Sequence, residues 1–212
     1  MTDLAFDVLD VQPPEHAAAP HLLFRLRVAE TSGAVVHAIA LRCQLRIEPQ
    51  RRAYDAREQE GLADLFGTAE RYRTTLTPFL WTHATAMVPG FQGSRDVDLP
   101  VACTYDFDVS ATRYLHALQG GDVPLILLFN GTVFTRGTTG FAVEQLSWSL
   151  EAGCRLPVRT WRRLIDLSFP GAGWIRLDRE SLDALARYRT AHGLTSWEQT
   201  VAALLPAQVV AS

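Results

Sequence analysis

The sequence predicts an α+β fold, an antiparallel β-sheet or sandwich followed by C-terminal helices. Three observations carry that expectation. Apolar residues alternate with polar ones through the first two-thirds of the chain, the signature of half-buried strands. The apolar period changes from 2 to 3.6 at Pro157, where helices take over. A chain of 212 residues, 48% of them apolar, can bury about 70% of its surface around one core. The expected organisation is one domain over 1–212, with 1–150 mainly β with short helices and 155–206 a helical layer. The sheet itself is expected from about Leu4 to Trp148.

Leu22, Phe24, Leu26 and Val28 share one face of the first clear strand. After the turn-prone Thr31-Ser32-Gly33, a second strand puts Val35, Ile39, Leu41, Cys43, Leu45 and Ile47 on one face and Arg42, Gln44, Arg46 and Glu48 on the other. The two are expected to form a long antiparallel hairpin. Asp55 and Glu58 then have capping-box spacing at the start of a short helix with Leu62, Leu65 and Phe66 as its apolar stripe, stopped by Gly67.

Strands resume at Leu80 to Val88, turned by Pro89-Gly90, and continue at Asp96 to Leu99 and Ala102 to Val109. Ser110 to Leu118 reads as a serine-capped helix closed by Gly120-Gly121. Val123 to Phe129 is almost continuously apolar, as expected of a strand covered on both faces and central to its sheet. Gly131 to Gly140 reads as a turn and Phe141 to Trp148 as a further strand. Pro157 suits a first helical turn, with Val158, Trp161, Leu164 and Ile165 as the buried face. Trp174 to Leu177 is a short extended link. Asp178 caps the next helix, and Thr195 with Glu198 forms a capping box for the last.

Charge and residue usage exclude several functions. With 20 basic against 23 acidic residues the formal net charge is −3, which gives no electrostatic basis for binding nucleic acid. All 20 bases are Arg, so P-loop and Schiff-base lysine chemistry is absent. The three cysteines, Cys43, Cys103 and Cys154, form no C-x-x-C pair. With no leader-like start and no long apolar run, the expectation is a cytoplasmic protein without membrane insertion. No G-x-S-x-G elbow or G-x-G-x-x-G loop occurs, so the chain is expected not to be an enzyme and to need no cofactor.

Candidate metal ligands are His37 and Cys43, on the inward phase of one strand, with His83 and Cys103 on others. The competing reading is core packing, because free cysteine behaves as a small hydrophobe. Asp106 and Asp108 share a strand face that could mimic paired carboxylates or be a solvated surface. Arg155, Arg159, Arg162 and Arg163 cluster near the start of the first C-terminal helix. They could grip an acidic partner or line a solvated face. From Arg176 onward four Arg meet four acids, which gives no basic recognition helix. Of the aromatic residues Phe79, Trp81, Phe91, Trp148, Trp161, Phe169, Trp174 and Trp197, any exposed as a cluster would mark a protein-binding groove. The candidate partner-binding set is Trp81, Phe91, Trp148, Arg159, Arg162, Arg163 and Trp174.

Several segments carry a family resemblance. They are Leu41-Arg42-Cys43-Gln44-Leu45-Arg46-Ile47-Glu48-Pro49-Gln50-Arg51-Arg52, Pro78-Phe79-Leu80-Trp81-Thr82-His83, Met87-Val88-Pro89-Gly90-Phe91, Asp98-Leu99-Pro100, Cys103-Thr104-Tyr105-Asp106 and Gly131-Thr132-Val133-Phe134. Together they resemble an uncharacterised bacterial family encoded in gene clusters of high-affinity, hydrogen-scavenging nickel-iron hydrogenases. The family has no assigned activity, so it supplies no catalytic residue. Pro157, Leu177, Leu182-Asp183-Ala184-Leu185 and Asn130-Gly131-Thr132-Val133-Phe134 are similar to the helical end and Gly-rich strand of the secretion chaperone SecB. That likeness implies an antiparallel sheet with C-terminal helices and apolar client-binding grooves.

What the resemblances imply is a non-enzymatic accessory protein, a chaperone or assembly scaffold. Its partner would be a hydrogenase subunit or precursor, and it could form a homo-oligomer. The alternative is a β-rich small-molecule- or metal-binding protein, with His37, Cys43, His83 and Cys103 as first candidates. A third option is an enzyme whose site is assembled from dispersed residues.

Overall fold

Eight strands and seven α-helices make up the computed structural model, which describes residues 2–137 and 140–205. The strands are β1 (Leu4–Gln12), β2 (His21–Glu30), β3 (Val36–Ile47), β4 (Phe79–Phe91), β5 (Ser94–Ala102), β6 (Asp122–Gly137), β7 (Gly140–Gln145) and β8 (Glu151–Pro157). The helices are α1 (Ala56–Gly61), α2 (Ala63–Phe66), α3 (Tyr72–Thr75), α4 (Ser110–Ala117), α5 (Val158–Ser168), α6 (Arg179–Ala191) and α7 (Trp197–Leu204). The expected class, antiparallel sheets followed by helices, is what forms.

Contacts divide the chain into two compact units, residues 1–174 and 175–212. Of the helices expected in one layer over 155–206, α5 belongs to the first unit and α6 and α7 to the second.

In the first unit a three-stranded sheet has the order β1-β2-β5, and a five-stranded sheet has the order β4-β3-β6-β7 with β8 also paired to β6. All pairings are antiparallel. β6 is central: β3 occupies one edge, while β8 and β7 share the other in succession. Leu22, Phe24, Leu26 and Val28 of β2 and Ile39, Leu41, Cys43, Leu45 and Ile47 of β3 turn into one core. Stacked rings of Phe6 on β1 and Phe129 on β6, with centroids 4.3 Å apart, join the two sheets through it. At the margins β1 runs beside β8 and β4 beside β5.

Asp55 accepts the amide of Glu58 at 2.8 Å and completes the expected capping box at α1. The fully buried Tyr114 of α4 meets the rings of Tyr54, Phe66 and Phe79. α5 buries Val158, Trp161, Leu164 and Ile165, the face its period foretold.

In the second unit Asp178 caps α6 by accepting the Ser181 amide at 2.7 Å. The cap of α7 is Ser196, which accepts the Gln199 amide, rather than the expected Thr195. Gln199 reaches back to the Thr195 amide. The Arg189 guanidinium lies 4.2 Å over the ring of Trp197.

Four expectations about the β region are corrected. β2 and β3 do not pair; they belong to different sheets, so 31–35 is a crossover between sheets. β4 continues through Pro89-Gly90, and Gln92-Gly93 makes the turn. The expected strand from Ala102 to Val109 is mostly turn, because Asp106 accepts the amide of Asp108 on its side chain and that of Val109 on its carbonyl. Such local side-chain bonding competes with a ladder. Around Asp106 the segment makes a single isolated parallel bridge, to Trp174, through backbone bonds of Tyr105 and Phe107.

The turn expected over 131–140 is instead a continuation of β6 as far as Gly137. Gly131 sits inside the ladder because a Cβ there would lie 2.1 Å from the carbonyl oxygen of Ala40. The glycine marks a close backbone approach and not a turn. β8 was not foreseen at all; with Gly153 and Arg155 exposed it carries only Ala152 and Leu156 as buried residues.

Candidate functional site

Alternation along β3 leaves Ala38, Ala40, Arg42, Gln44 and Arg46 on the side away from the core. Cross-strand register then assembles the outer face of the five-stranded sheet. Ala38 stands between Pro89 and Phe134, Ala40 between Met87 and Thr132, and Arg42 between Thr85 and Asn130. Phe134 is paired with Val143 of β7, and Thr132 with Gln145. The small alanines leave a trough between taller neighbours. Two adjoining hollows of about 510 and 300 Å3 lie along it, both lined by Ala40 and Arg42. The larger extends to Gln145, Leu146 and Trp148; the smaller to Thr85 and Met87.

The trough is rimmed by exposed apolar side chains. Met87 is 64%, Val143 60% and Trp148 97% exposed. Large apolar side chains left exposed around a hollow are a mark of interaction surfaces.

The outer face of the three-stranded sheet is built oppositely. There Arg25 pairs with Asp98 at 3.1 Å and Arg27 with Asp96 at 2.8 Å, and Asp10 and Asp7 of β1 stand opposite the same arginines. That is a charge ladder suited to water. Hydrogen bonding and the field of Asp98 and Asp96 raise the arginine pKa values, and Arg27 pulls that of Asp96 down.

A second polar cluster lies where α4 and α5 approach. Tyr105 Oη and His116 Nδ1 are 2.9 Å apart in a hollow of about 280 Å3 shared with Trp161, Arg162, Ile165 and Asp166. Burial, reinforced by Arg162, holds His116 below the usual histidine range. Burial and then Asp166 raise Tyr105. Both shifts favour the neutral forms, a phenol and an imidazole in hydrogen-bond contact.

The proposed metal ligands do not converge. A register shift of β3 against β6 between Val36 and Ala38 reverses the strand's phase there. Val36 is therefore buried where Val35 was expected, and His37 is turned outward. His83 pairs with Gln44 on the outer face, while Cys43 and Cys103 are buried in the core. Among the described residues no group of three His, Cys, Asp or Glu side chains is placed to hold a metal ion.

The candidate partner-binding residues are dispersed. Trp81 packs edge-on against Phe24, with centroids 6.2 Å apart, and Phe91 packs on the core. Arg159 and Arg162 line a separate hollow of about 250 Å3 with Gln119 to Asp122, and Arg163 is exposed elsewhere on α5. Trp174 is 66% exposed, its backbone tied to Tyr105 and Phe107. Only Trp148 stands at the trough. Met87, Val143 and Arg42 were not singled out from sequence. For Met87 and Val143 the one local signal was an apolar residue in the polar phase of a strand; Arg42 follows the ordinary polar phase of β3 and carries none.

A family model described as a family of unknown function (DUF6084) matches residues 1–211. No curated protein matches the chain. Among solved structures, a beta-glucosidase from Kluyveromyces marxianus is 9% identical over 74% of this chain and 15% of that chain, with a TM-score of 0.26. Beta-glucosidase 3B from Thermotoga neapolitana, in complex with glycerol, is 10% identical over 73% of this chain and 17% of that chain, with a TM-score of 0.25. The present chain thus spans less than a fifth of either, and likeness at this level carries no argument.

Proposed function

Since the chain belongs to a family of unknown function, DUF6084, we propose its role from the surface it presents: a non-enzymatic accessory protein, a chaperone or assembly scaffold that holds a protein partner on the outer face of its five-stranded sheet. The observation that carries this reading is the contrast between the two outer faces. One is a ladder in which Arg25 and Arg27 are flanked by aspartates on both neighbouring strands; the other is a trough floored by alanine and rimmed by Met87, Val143 and Trp148. Burying those side chains in a complex removes apolar surface from water, the general driving force of association.

The partner is a subunit or precursor of a nickel-iron hydrogenase, met in the cytoplasm. This part rests on the resemblance of segments such as Leu41 to Arg52 and Pro78 to His83 to a family encoded beside such hydrogenases. The chaperone role rests in addition on the SecB-like segments. Among the described residues no helix is long and apolar enough to cross a membrane.

The test is affinity purification of the tagged chain from cells expressing the hydrogenase cluster, beside a Met87→Glu/Val143→Glu variant. A hydrogenase subunit in near-stoichiometric amount with the native chain, and lost from the variant, is the expected result. Normal hydrogenase assembly in a deletion strain would overturn the partner assignment. Undiminished capture by the variant would overturn the choice of surface.

A further inference from the structure

The charges on the outer face of the five-stranded sheet are lopsided. Register and alternation put Arg42 and Arg46 of β3, Arg136 of β6 and Arg155 of β8 on it, against two acids at its far end, Glu151 opposite Leu128 and Asp122 opposite Pro157. His83 stands beside Gln44. Four guanidinium groups to two carboxylates is the reverse of the whole chain, where acids outnumber bases 23 to 20.

Arg42 holds the central place. It is exposed, lines both hollows, and its cross-strand neighbours Thr85 and Asn130 are uncharged. Among the described residues no acid pairs with it. On the other sheet, each corresponding arginine of the middle strand has an aspartate across from it at 3.1 Å or less. The same architecture therefore supplies an intramolecular carboxylate on one face and omits it on the other. The omission falls in the middle of the apolar trough.

Resting on the docking surface proposed above, we infer that the trough selects an acidic apolar segment of a partner protein, with apolar side chains lying over Ala38 and Ala40 between Met87 and Val143 and a carboxylate set against Arg42. A planar guanidinium takes a carboxylate through two parallel N–H···O bonds, which fixes register as well as adding strength. Excess positive charge around the trough draws acidic segments in and turns basic ones away.

Fluorescence anisotropy with three synthetic peptides tests this on the full chain. They share one pattern of Val, Leu and Phe and carry Asp, Asn or Lys between them. The Asp peptide is expected to bind about tenfold more tightly than the Asn peptide in dilute buffer and the Lys peptide weakest. The Asp-over-Asn preference should vanish in Arg42→Gln and shrink at high salt.

Equal binding of Asp and Asn peptides, both lost in Met87→Glu/Val143→Glu, overturns the acidic selection and leaves the docking surface standing. Binding that survives Met87→Glu/Val143→Glu overturns the docking surface itself. Concentration-dependent self-association abolished by the same pair of changes would assign the trough to a second copy of the chain and overturn the inference too.

Discussion

Arg52 Nη2 lies 2.8 Å from Oε1 and 3.0 Å from Oε2 of Glu58, and the two side chains retain only 10% and 4% of their exposure. Glu58 also accepts the Gln119 amide at 2.8 Å, and Arg52 reaches the Gly120 carbonyl at 3.3 Å. The pair thus clamps the start of α1 to the segment between α4 and β6. Removing one member leaves a charge in the interior without its counter-charge. Glu58→Gln and Arg52→Met are each expected to lower unfolding free energy by about 3–5 kcal/mol. Urea unfolding checks this, and the double change should cost clearly less than the two single costs added together.

Gly131 separates a backbone constraint from ordinary glycine freedom. With φ at 144° and a hypothetical Cβ 2.1 Å from the Ala40 oxygen, Gly131→Ala must push β3 and β6 apart. The expected loss is at least about 3 kcal/mol, or failure to fold. Gly33 has φ 84° with nothing within 4 Å, so Gly33→Ala should cost only about 1–2 kcal/mol. Similar losses for both would refute the close-approach account.

His116 makes stability sensitive to mild acid. Its ring is held below the usual histidine range by burial and Arg162, with Tyr105 and Asp166 as the other groups around it. The unfolded chain therefore binds the proton more readily than the folded one. Its contribution is complete above the unfolded value of about 6.5 and is lost as pH falls through the folded value. Urea midpoints are expected to fall between about pH 7.5 and about pH 5.5. The fall should be smaller in His116→Asn, and an unchanged slope in that variant would exclude His116 as the cause.

The three thiols are expected to be inert in the folded chain. Burial pushes Cys43, Cys103 and Cys154 each up to about 12, so thiolate, the reactive form, is scarce near neutrality. A disulfide-exchange reagent at about pH 8 should therefore label them only as fast as the chain opens, and all three at once in denaturant. A rapid first equivalent of labelling in native buffer would single out Cys154, the least buried of them, as accessible.

Local patterns in the chain were enough to read the inward faces of β2 and most of β3, the central place of β6, the buried stripe of α5 and the caps at Asp55 and Asp178. Each depends on a side-chain period or a bond spanning a few residues, and is the same whichever element lies opposite. β6 is nonetheless not covered on both faces as its apolar run suggested, since Ile126 and Leu128 are only half-buried. His37 failed because one irregular residue in β3 inverts the phase of its neighbours, and period counting cannot see a bulge. Asp106 failed because a side chain satisfied the backbone before any ladder could.

The sequence by itself thus determined the class, the inward-facing core residues and the absence of lysine chemistry. Only the tertiary structure decided that β2 and β3 belong to different sheets, that Gly131 lies within a ladder, and that the arginines of one outer face meet aspartates while Arg42 on the other stands in an apolar trough without one. The physical reason is that strand pairing is set by long-range contacts and register. Met87, Arg42, Val143 and Trp148 come from four separate segments, and no local period relates them until β4, β3, β6 and β7 are laid side by side.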